Sequence, residues 1–367
     1  MPNIGRKGTF ADAKVMVVIN MKKIFSYVVD VLILAIIILV TVKMIFEDTN
    51  MSVIIEDLKS ANKIWISFGV VLVLLFVCSE SVIIKYMLRM FGTKIPLLRC
   101  IKYSFVGFFV SYITPSASGG QPAQVFYMKK DGIKIGHSTL IMVVIAFAYK
   151  LVLIILGLPF LIFRYSQICS YVGNLAWLLI IGFILNIVYI ALLGALVVKP
   201  LWIKAIGVKC INFLAKIRII KRREKYINKI DRICDNYTVC ADYIKNNLLA
   251  VVKITLITIV QRIFLFAVTY VVYKSFGLSG TSFLDIIAIQ TMIAIAVEML
   301  PLPGAAGITE GCFVKMFATV FGSGLVKPGM LLSRGLSFYV VLIIGALVTA
   351  AAHIIMLRKT KRSKTTG

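Results

Sequence analysis

Histidine is scarce in this sequence, which has two histidines (His137 and His353) among 367 residues. Its seven cysteines form no Cys-x-x-Cys pair, so we interpret them as packing residues and expect neither a disulfide framework nor a zinc site. It contains no P-loop, no Gly-x-Ser-x-Gly and no His-Glu-x-x-His motif. The sequence therefore predicts no catalytic residue, no metal site and no cofactor, and it argues against ATP-driven transport by this chain alone.

Polar sequence is also limited, because 60% of the residues are hydrophobic and the mean hydropathy is +0.97. The apolar residues come in runs of about 20, enough to cross roughly 30 Å of hydrocarbon as a helix. We therefore predict an all-α polytopic membrane protein with about six full transmembrane helices, at 24–42, 64–84, 138–163, 173–198, 254–273 and 333–356.

Acidic residues are few: 15 Asp and Glu face 41 Lys and Arg, a formal net charge of +26. In a membrane protein this excess indicates basic cytoplasmic loops and attraction to anionic lipids, so we expect no nucleic-acid partner. The charge distribution predicts that both termini are cytoplasmic. The predicted segments are a cytoplasmic N-terminus (1–23), a first membrane half (24–198), a basic cytoplasmic helical region (199–245), a second membrane half (246–357) and a basic cytoplasmic tail (358–367).

Two breaks interrupt apolar segments with the same pattern of proline, small residue, alanine, small residue and glycine: Pro115-Ser116-Ala117-Ser118-Gly119 and Pro303-Gly304-Ala305-Ala306-Gly307. Because unsatisfied backbone is costly in lipid, each break should be buried in protein or line a polar cavity. From the flanking charges we predict two oppositely oriented re-entrant hairpins, 104–127 entering from the cytoplasm and 284–321 entering from outside. Opposed broken helices are typical of an inverted repeat around a midplane site.

Each break can also start a helix that points into the membrane. Gly119 and Gly120 permit a reversal before Gln121, and Thr309 is the expected N-cap of a helix that begins at Glu310. Free N–H groups at such helix starts can bind an anion, and a lipid phosphate is the natural anion at that depth. The alternative is that the small residues only allow close helix packing.

Ionisable residues inside apolar segments indicate a second part of the site, because inserting a charge is costly unless it faces a cavity or a partner. Lys150 and Arg262 could hold a phosphate, while Glu80, Glu298 and Glu310 could bind an ammonium group or neutralise the cations. The alternative is a set of structural ion pairs, and we expect Arg334 only to snorkel. The candidate headgroup-binding residues are Pro115, Ser116, Ser118, Gly119, Gly120, Gln121, Lys150, Arg262, Glu298, Pro303, Gly304, Gly307, Thr309 and Glu310.

The basic cytoplasmic region contains an apolar stripe at spacings of three and four, which predicts an amphipathic helix. This helix could lie on anionic lipid, dock a partner domain, or pack against the cytoplasmic face of its own protein. The stripe consists of Tyr226, Ile230, Ile233, Tyr237, Cys240 and Ile244.

The two break segments, 107–124 and 302–311, resemble those of the lysylphosphatidylglycerol synthase transmembrane family, and the resemblance covers roughly residues 20–357. This family is the flippase-like membrane domain of bacterial multiple peptide resistance factors. In the full-length factors a C-terminal soluble domain transfers lysine from lysyl-tRNA to phosphatidylglycerol, and the membrane region moves the product outward. The resemblance implies the translocase part, in a bacterial cytoplasmic membrane, without the synthase domain.

The leading hypothesis is therefore a lipid translocase for an anionic or aminoacylated phospholipid such as lysylphosphatidylglycerol, which would contribute to resistance against cationic antimicrobial peptides. One alternative is a phosphatidylglycerol lysyltransferase, or its membrane subunit working with a separate soluble synthase. Another is a membrane scaffold that transports nothing. A homo-oligomer is compatible with each of these.

Overall fold

The structure is a computed structural model that describes residues 51–114, 117–199, 201–216, 223–300 and 302–365. Within these ranges every regular element is helical, which confirms the all-α prediction. The α-helices are α1 (Met51–Ser60), α2 (Lys63–Met90), α3 (Leu97–Ile113), α4 (Gly120–Lys130), α5 (Ile135–Phe163), α6 (Tyr165–Val172), α7 (Ala176–Val198), α8 (Leu201–Lys216), α9 (Arg223–Lys245), α10 (Leu248–Ser275), α11 (Phe283–Val297), α12 (Ile308–Met316), α13 (Ala318–Arg334) and α14 (Val341–Thr365).

Five segments of the described chain are long and apolar enough to cross a membrane: Lys63–Met90, Ile135–Phe163, Ile168–Val198, Leu248–Ser275 and Ala318–Met356. The chain is thus a multi-pass membrane protein. The predicted first span, 24–42, and the cytoplasmic N-terminus lie outside the described residues. The total of six spans and the cytoplasmic position of the termini stay predictions.

The first break joins two helices that pack side by side as a hairpin, α3 and α4. Near the break, a Cβ at Gly107 would lie 2.3 Å from the side chain of Gln124, so glycine permits the close approach. At the other end of the hairpin, Lys102 is 2.5 Å from the carboxylate of Asp131. The two arms are therefore antiparallel. The side of the membrane from which they enter stays a prediction.

The second break lies between α11 and α12, which also contact each other. A 3₁₀ turn at Pro303–Ala305 occupies the break. Helix α12 ends at Met316, and α13 begins two residues later at Ala318. A π-helical turn at Gly335–Val340 then connects α13 to α14. The predicted last span, 333–356, falls within this combined segment.

A polar layer crosses the centre of the molecule. Helices α2, α5 and α10 each bury apolar residues on both sides of their midpoints, in two separate hydrophobic clusters. Between the two clusters α2 carries Glu80, α5 carries Tyr149 and Lys150, and α10 carries Gln261 and Arg262. Because polar side chains inside a membrane protein need partners, this layer is where a site is expected.

Candidate functional site

A cavity of about 640 Å³ lies at the polar layer and is lined by residues from both breaks. The first break contributes Ala117, Ser118 and Gln121, and the second contributes Gly304 and Thr309, among others. The helices α2, α5 and α10 complete the wall with charged and aromatic side chains. The volume falls within the usual range of small-molecule sites, about 300–1,000 Å³.

Seven of the fourteen candidate headgroup-binding residues line this cavity: Ser118, Gln121, Lys150, Arg262, Glu298, Gly304 and Thr309. Glu80, the other carboxylate predicted to bind an ammonium group, lines it too. Gly119, Gly120, Gly307 and Glu310 lie beside the breaks in the same turns and helix starts but outside the cavity wall. Pro115 and Ser116 fall outside the described residues, and only the backbone of Pro303 is described, at the start of the 3₁₀ turn.

Lys150, Arg262 and Glu298 form one charged cluster in the wall. The Lys150 ammonium donates to Glu298 Oε2 over 2.9 Å, while Arg262 donates to both Glu298 oxygens over 2.7 and 3.2 Å. The three side chains come from α5, α10 and the C-terminal end of α11. Two cations therefore share one carboxylate, and the cluster carries a net charge of +1.

Arg262 has hydrogen-bonding capacity left over. It is 5% exposed, and its Nε–H has no hydrogen-bond partner among the described residues. Its guanidinium also lies 4.8 Å from the ring centroid of Tyr149, which restrains its position. A buried donor without a partner is costly, so an anion or a water molecule at this position would lower the free energy.

Glu80 occupies a different polar cluster on the same cavity. The Gln124 amide donates to Glu80 Oε1 over 2.6 Å, and the Tyr149 hydroxyl donates to Glu80 Oε2 over 2.5 Å. Gln261 Nε2 in turn donates to the Tyr149 oxygen over 2.6 Å. Gln124 lies on α4, so this cluster ties the first hairpin to the middle of α2, α5 and α10.

An ion pair fixes the second break. Arg334 Nε donates to Glu310 Oε1 over 2.7 Å, and Arg334 also donates to the carbonyl of Gly304 over 3.0 Å. The second oxygen of Glu310 accepts from the backbone N–H of Gly307 over 2.7 Å. The expectation that Arg334 only snorkels is therefore wrong, because this buried pair satisfies its charge inside the protein.

The predicted N-cap at the second break is also wrong. Helix α12 begins at Ile308 with Gly307 as its N-cap, two residues earlier than expected. The Thr309 hydroxyl instead donates to the carbonyl of Ala305 over 2.8 Å. Gly307 can take the cap position because its φ of +87° is accessible to glycine, and its own backbone N–H donates to the carboxylate of Glu310.

The two breaks share a positive φ at their alanine and differ at their final glycine, where φ is −83° at Gly119 and +87° at Gly307. Ala117 and Ala305 occupy the same position of the repeated pattern, and their φ values are +54° and +49°. They are the non-glycine residues with positive φ in the described part of the chain. Each donates its N–H to the carbonyl three residues earlier, at Thr114 and Leu302. At the alanine position the sequence match thus extends to an unusual backbone geometry, of the kind that persists at ligand sites.

The end of each turn is closed by a side chain. The N–H of Gly119 donates to the Thr114 hydroxyl over 3.0 Å, and the equivalent N–H of Gly307 donates to Glu310. These two helix-start donors therefore already have protein acceptors. The cations Lys150 and Arg262 are left as the stronger attraction for an anion in the cavity.

Several uncharged residues of the site were missing from the sequence prediction. Gln124, Tyr149 and Gln261 connect to Glu80, and Tyr112 of α3 stacks on Phe338 with ring centroids 4.6 Å apart. The rule used to select Lys150 and Arg262, that a polar group inside a span needs a partner, also applies to mid-span glutamine and tyrosine.

At the far end of the first hairpin, outside the candidate spans, Asp131 accepts from Lys102 over 2.5 Å and from the Tyr103 hydroxyl over 2.6 Å. Burial would raise the pKa of Asp131, but these hydrogen bonds and the lysine charge outweigh it and hold the pKa below its usual range. In the described part of the chain no group of three His, Cys, Asp or Glu is arranged to hold a metal ion.

Comparison with known families matches residues 27–345 to the family described as Lysylphosphatidylglycerol synthase TM region. The match covers most of the chain, so the chain belongs to this family. It confirms the resemblance carried by the two break segments. A comparison with curated proteins finds no match.

Proposed function

We propose that this chain is a lipid translocase whose central cavity holds the headgroup of an anionic or aminoacylated phospholipid, such as lysylphosphatidylglycerol. Membership of the family already connects the chain with lysyl-lipid metabolism in a membrane. The proposal adds a transport role, in a bacterial cytoplasmic membrane, and through it a contribution to resistance against cationic antimicrobial peptides.

One observation carries the proposal: a cavity of about 640 Å³ with charged side chains in its wall, bounded by both broken helices and by the partly unsatisfied Arg262. A headgroup crossing a bilayer must exchange its water for fixed polar groups, because a bare charge in hydrocarbon is very costly. Two backbone breaks and three cationic side chains, Lys150, Arg262 and Arg334, provide such groups at one place. This is the arrangement expected of a midplane transport site.

The charged cluster supplies a recognition mechanism. A phosphodiester that reaches Arg262 can compete with Glu298 for the terminal N–H donors, and a shift of the side chain would also make its buried, unpaired Nε–H available. A primary ammonium group on an aminoacylated headgroup would then take the place of Lys150 beside the Glu298 carboxylate. Exchange of one set of ion pairs for another limits the free-energy change during passage, because fewer charges are left without a partner.

The test is lipid transfer in proteoliposomes that contain labelled lysylphosphatidylglycerol, phosphatidylglycerol or phosphatidylethanolamine. We expect the chain to move at least one of the first two faster than protein-free liposomes do. Arg262→Gln should reduce this transfer by about tenfold or more, because a hydrogen bond to a charged group contributes about 1.5–3 kcal/mol.

Arg164→Gln is the matched control, because Arg164 is ion-paired with Asp285 at the C-terminal end of α5, roughly 21 Å along the helix from Lys150. It should transfer lipid at the rate of the unchanged protein. No transfer above the protein-free rate for any lipid would refute the proposal. Equal loss in both arginine variants would remove Arg262 from the site.

A second candidate is a membrane subunit of lysyl-lipid synthesis, which the word "synthase" in the family description favours. It predicts that the purified chain, incubated with lysyl-tRNA and phosphatidylglycerol, forms lysylphosphatidylglycerol, either alone or with a soluble synthase. The scaffold alternative predicts a tightly packed interior around the breaks, and the cavity argues against it.

A further inference from the structure

The charged side chains around the cavity sum to zero. Lys150, Arg262 and Arg334 contribute three positive charges to the described wall, and Glu80 and Glu298 contribute two negative charges. The third negative charge is Glu310, which is paired with Arg334 just outside the wall. An anionic headgroup with one phosphodiester charge would therefore leave the occupied cavity with a net charge of −1. In a medium of low dielectric constant such an excess charge is costly.

The carboxylates of Glu80, Glu298 and Glu310 differ in the charge of their hydrogen-bond partners. Glu298 has two cationic partners and Glu310 has one, each within 3.0 Å. Glu80 is 4% exposed, and its direct partners are the neutral Gln124 amide and the neutral Tyr149 hydroxyl. Of the three, Glu80 is the carboxylate that can gain a proton without breaking an ion pair.

A proton on Glu80 would have an acceptor beside it. The Tyr149 oxygen lies 2.5 Å from Glu80 Oε2, and a hydroxyl group can accept a hydrogen bond as well as donate one. Glu80 lines the cavity, so water in the cavity can deliver that proton.

The charged and titratable groups that face Glu80 come from three elements. Tyr149 of α5 donates to it, Arg262 of α10 acts on it through its charge, and Tyr112 of α3 is close enough to feel its charge. From α4 its neighbour is neutral Gln124, and Ser104 of α3 is a further neutral contact. The positive charge of Arg262 favours the ionised form of Glu80. The negative charge of Glu298, which makes two contacts with the same guanidinium, partly cancels this effect.

We propose that Glu80 binds one proton when an anionic headgroup enters the cavity, so that lipid and proton are carried together. The proton comes from water in the cavity, forms an O–H bond at the Glu80 carboxyl group, and returns to water on the other side when the lipid leaves. The loaded cavity is then electrically neutral, as the empty one is. This inference rests on the proposed function, and it adds a source of energy: a proton gradient.

The experiment uses proteoliposomes with phosphatidylglycerol as the labelled anionic lipid, a pH-sensitive dye inside, and a potassium ionophore that removes the membrane potential. With one proton carried per lipid, a gradient of one pH unit should change the ratio of labelled lipid between the leaflets by up to tenfold. The dye should report proton movement that accompanies lipid transfer. Glu80→Gln has nearly the shape of the protonated acid, and we expect it to transfer lipid with a leaflet ratio that no longer follows the gradient.

Glu224→Gln on α9 is the control, because Glu224 is exposed and does not belong to the cavity wall. It should follow the gradient as the unchanged protein does. If the unchanged protein transfers lipid with a leaflet ratio that ignores the gradient, the inference is refuted and the translocase proposal stands. A gradient response that survives in Glu80→Gln would refute it as well. If the unchanged protein transfers no lipid, both proposals fail together.

A second variant covers the case in which Glu80→Gln does not fold. Tyr149→Phe removes the donor to Glu80 Oε2 and keeps the aromatic ring beside Arg262. Because this donor favours the ionised carboxylate, its loss should shift the pH midpoint of lipid transfer to a higher value. A midpoint equal to that of the unchanged protein would contradict the role of Glu80.

Discussion

Glu298→Gln removes the carboxylate that Lys150 and Arg262 share. Three hydrogen bonds of 2.7, 2.9 and 3.2 Å connect the two cations to it. The glutamine is isosteric, so the substitution changes charge and donor–acceptor match with little change in volume. Two neighbouring cations would then face each other in a polar layer that lies between two apolar clusters.

Breaking a buried ion pair from one side costs about 3–5 kcal/mol. The Glu298 side chain keeps 26% of its surface exposed to the cavity, where water can reach it, so we expect the lower end, about 3 kcal/mol. At roughly 2 °C per kcal/mol for a large chain, the unfolding temperature should fall by about 6 °C. Lys150→Met should cost less, because Arg262 retains both of its contacts with Glu298.

The assay is thermal unfolding in detergent for the two single variants and the double variant Lys150→Met with Glu298→Gln. Since Lys150 and Glu298 are in contact, the two effects should fail to add, with a coupling free energy of about 1 kcal/mol or more. If the free-energy changes of the two single variants add up to that of the double variant within about 0.5 kcal/mol, the contact between Lys150 and Glu298 does not stabilise the site. The reasoning would also fail if Glu298→Gln unfolded at the temperature of the unchanged protein.

Three further predictions concern other parts of the molecule. Gly182→Ala places a Cβ 2.2 Å from a carbonyl oxygen of α11 and should cost about 1–3 kcal/mol in unfolding assays, whereas Gly194→Ala on the same helix meets an ordinary 3.5 Å contact and should be tolerated. Ala305→Val should lower the unfolding temperature, because β-branched residues rarely adopt positive φ, while Ala305→Gly should not. The contribution of Asp131 to stability is present above the ordinary aspartate pKa of about 3.9 and is lost as the pH falls through its lowered folded pKa, so Asp131→Asn should abolish this acid-dependent part of the unfolding curve.

The features that could be predicted from the sequence are those for which the membrane allows few alternative structures. Long apolar runs must be helices, and two matching breaks at membrane depth must be accommodated somewhere, so the all-α architecture and the position of both breaks could be predicted. Lys150 and Arg262 stood out because a charge inside a span needs compensation. Their common partner, Glu298, was among the predicted residues, but only the folded structure gives its contacts with both cations.

The remaining features depend on tertiary contacts that the sequence does not specify. Thr309 is a residue type that often caps helices, yet Gly307 is the N-cap of α12, and the Glu310 carboxylate accepts from Gly307 while also binding Arg334. Nothing local indicates that Arg334, 24 residues further on, would return to the second break. The same holds for Gln124, whose partner Glu80 lies 44 residues earlier in another helix.

The π-helical turn at Gly335–Val340 has a consequence for the whole apolar segment Ala318–Met356. A π turn accommodates one residue more than an α-helix does over the same rise, and one residue corresponds to about 100° of rotation. The turn therefore sets the angular phase between α13, which directs Arg334 to Glu310, and α14, which packs against α3. Deleting one residue there would leave α13 and α14 intact. It would rotate one of them relative to the other by about 100° around the helix axis, so Arg334 and the α3-facing side of α14 could not both keep their present contacts.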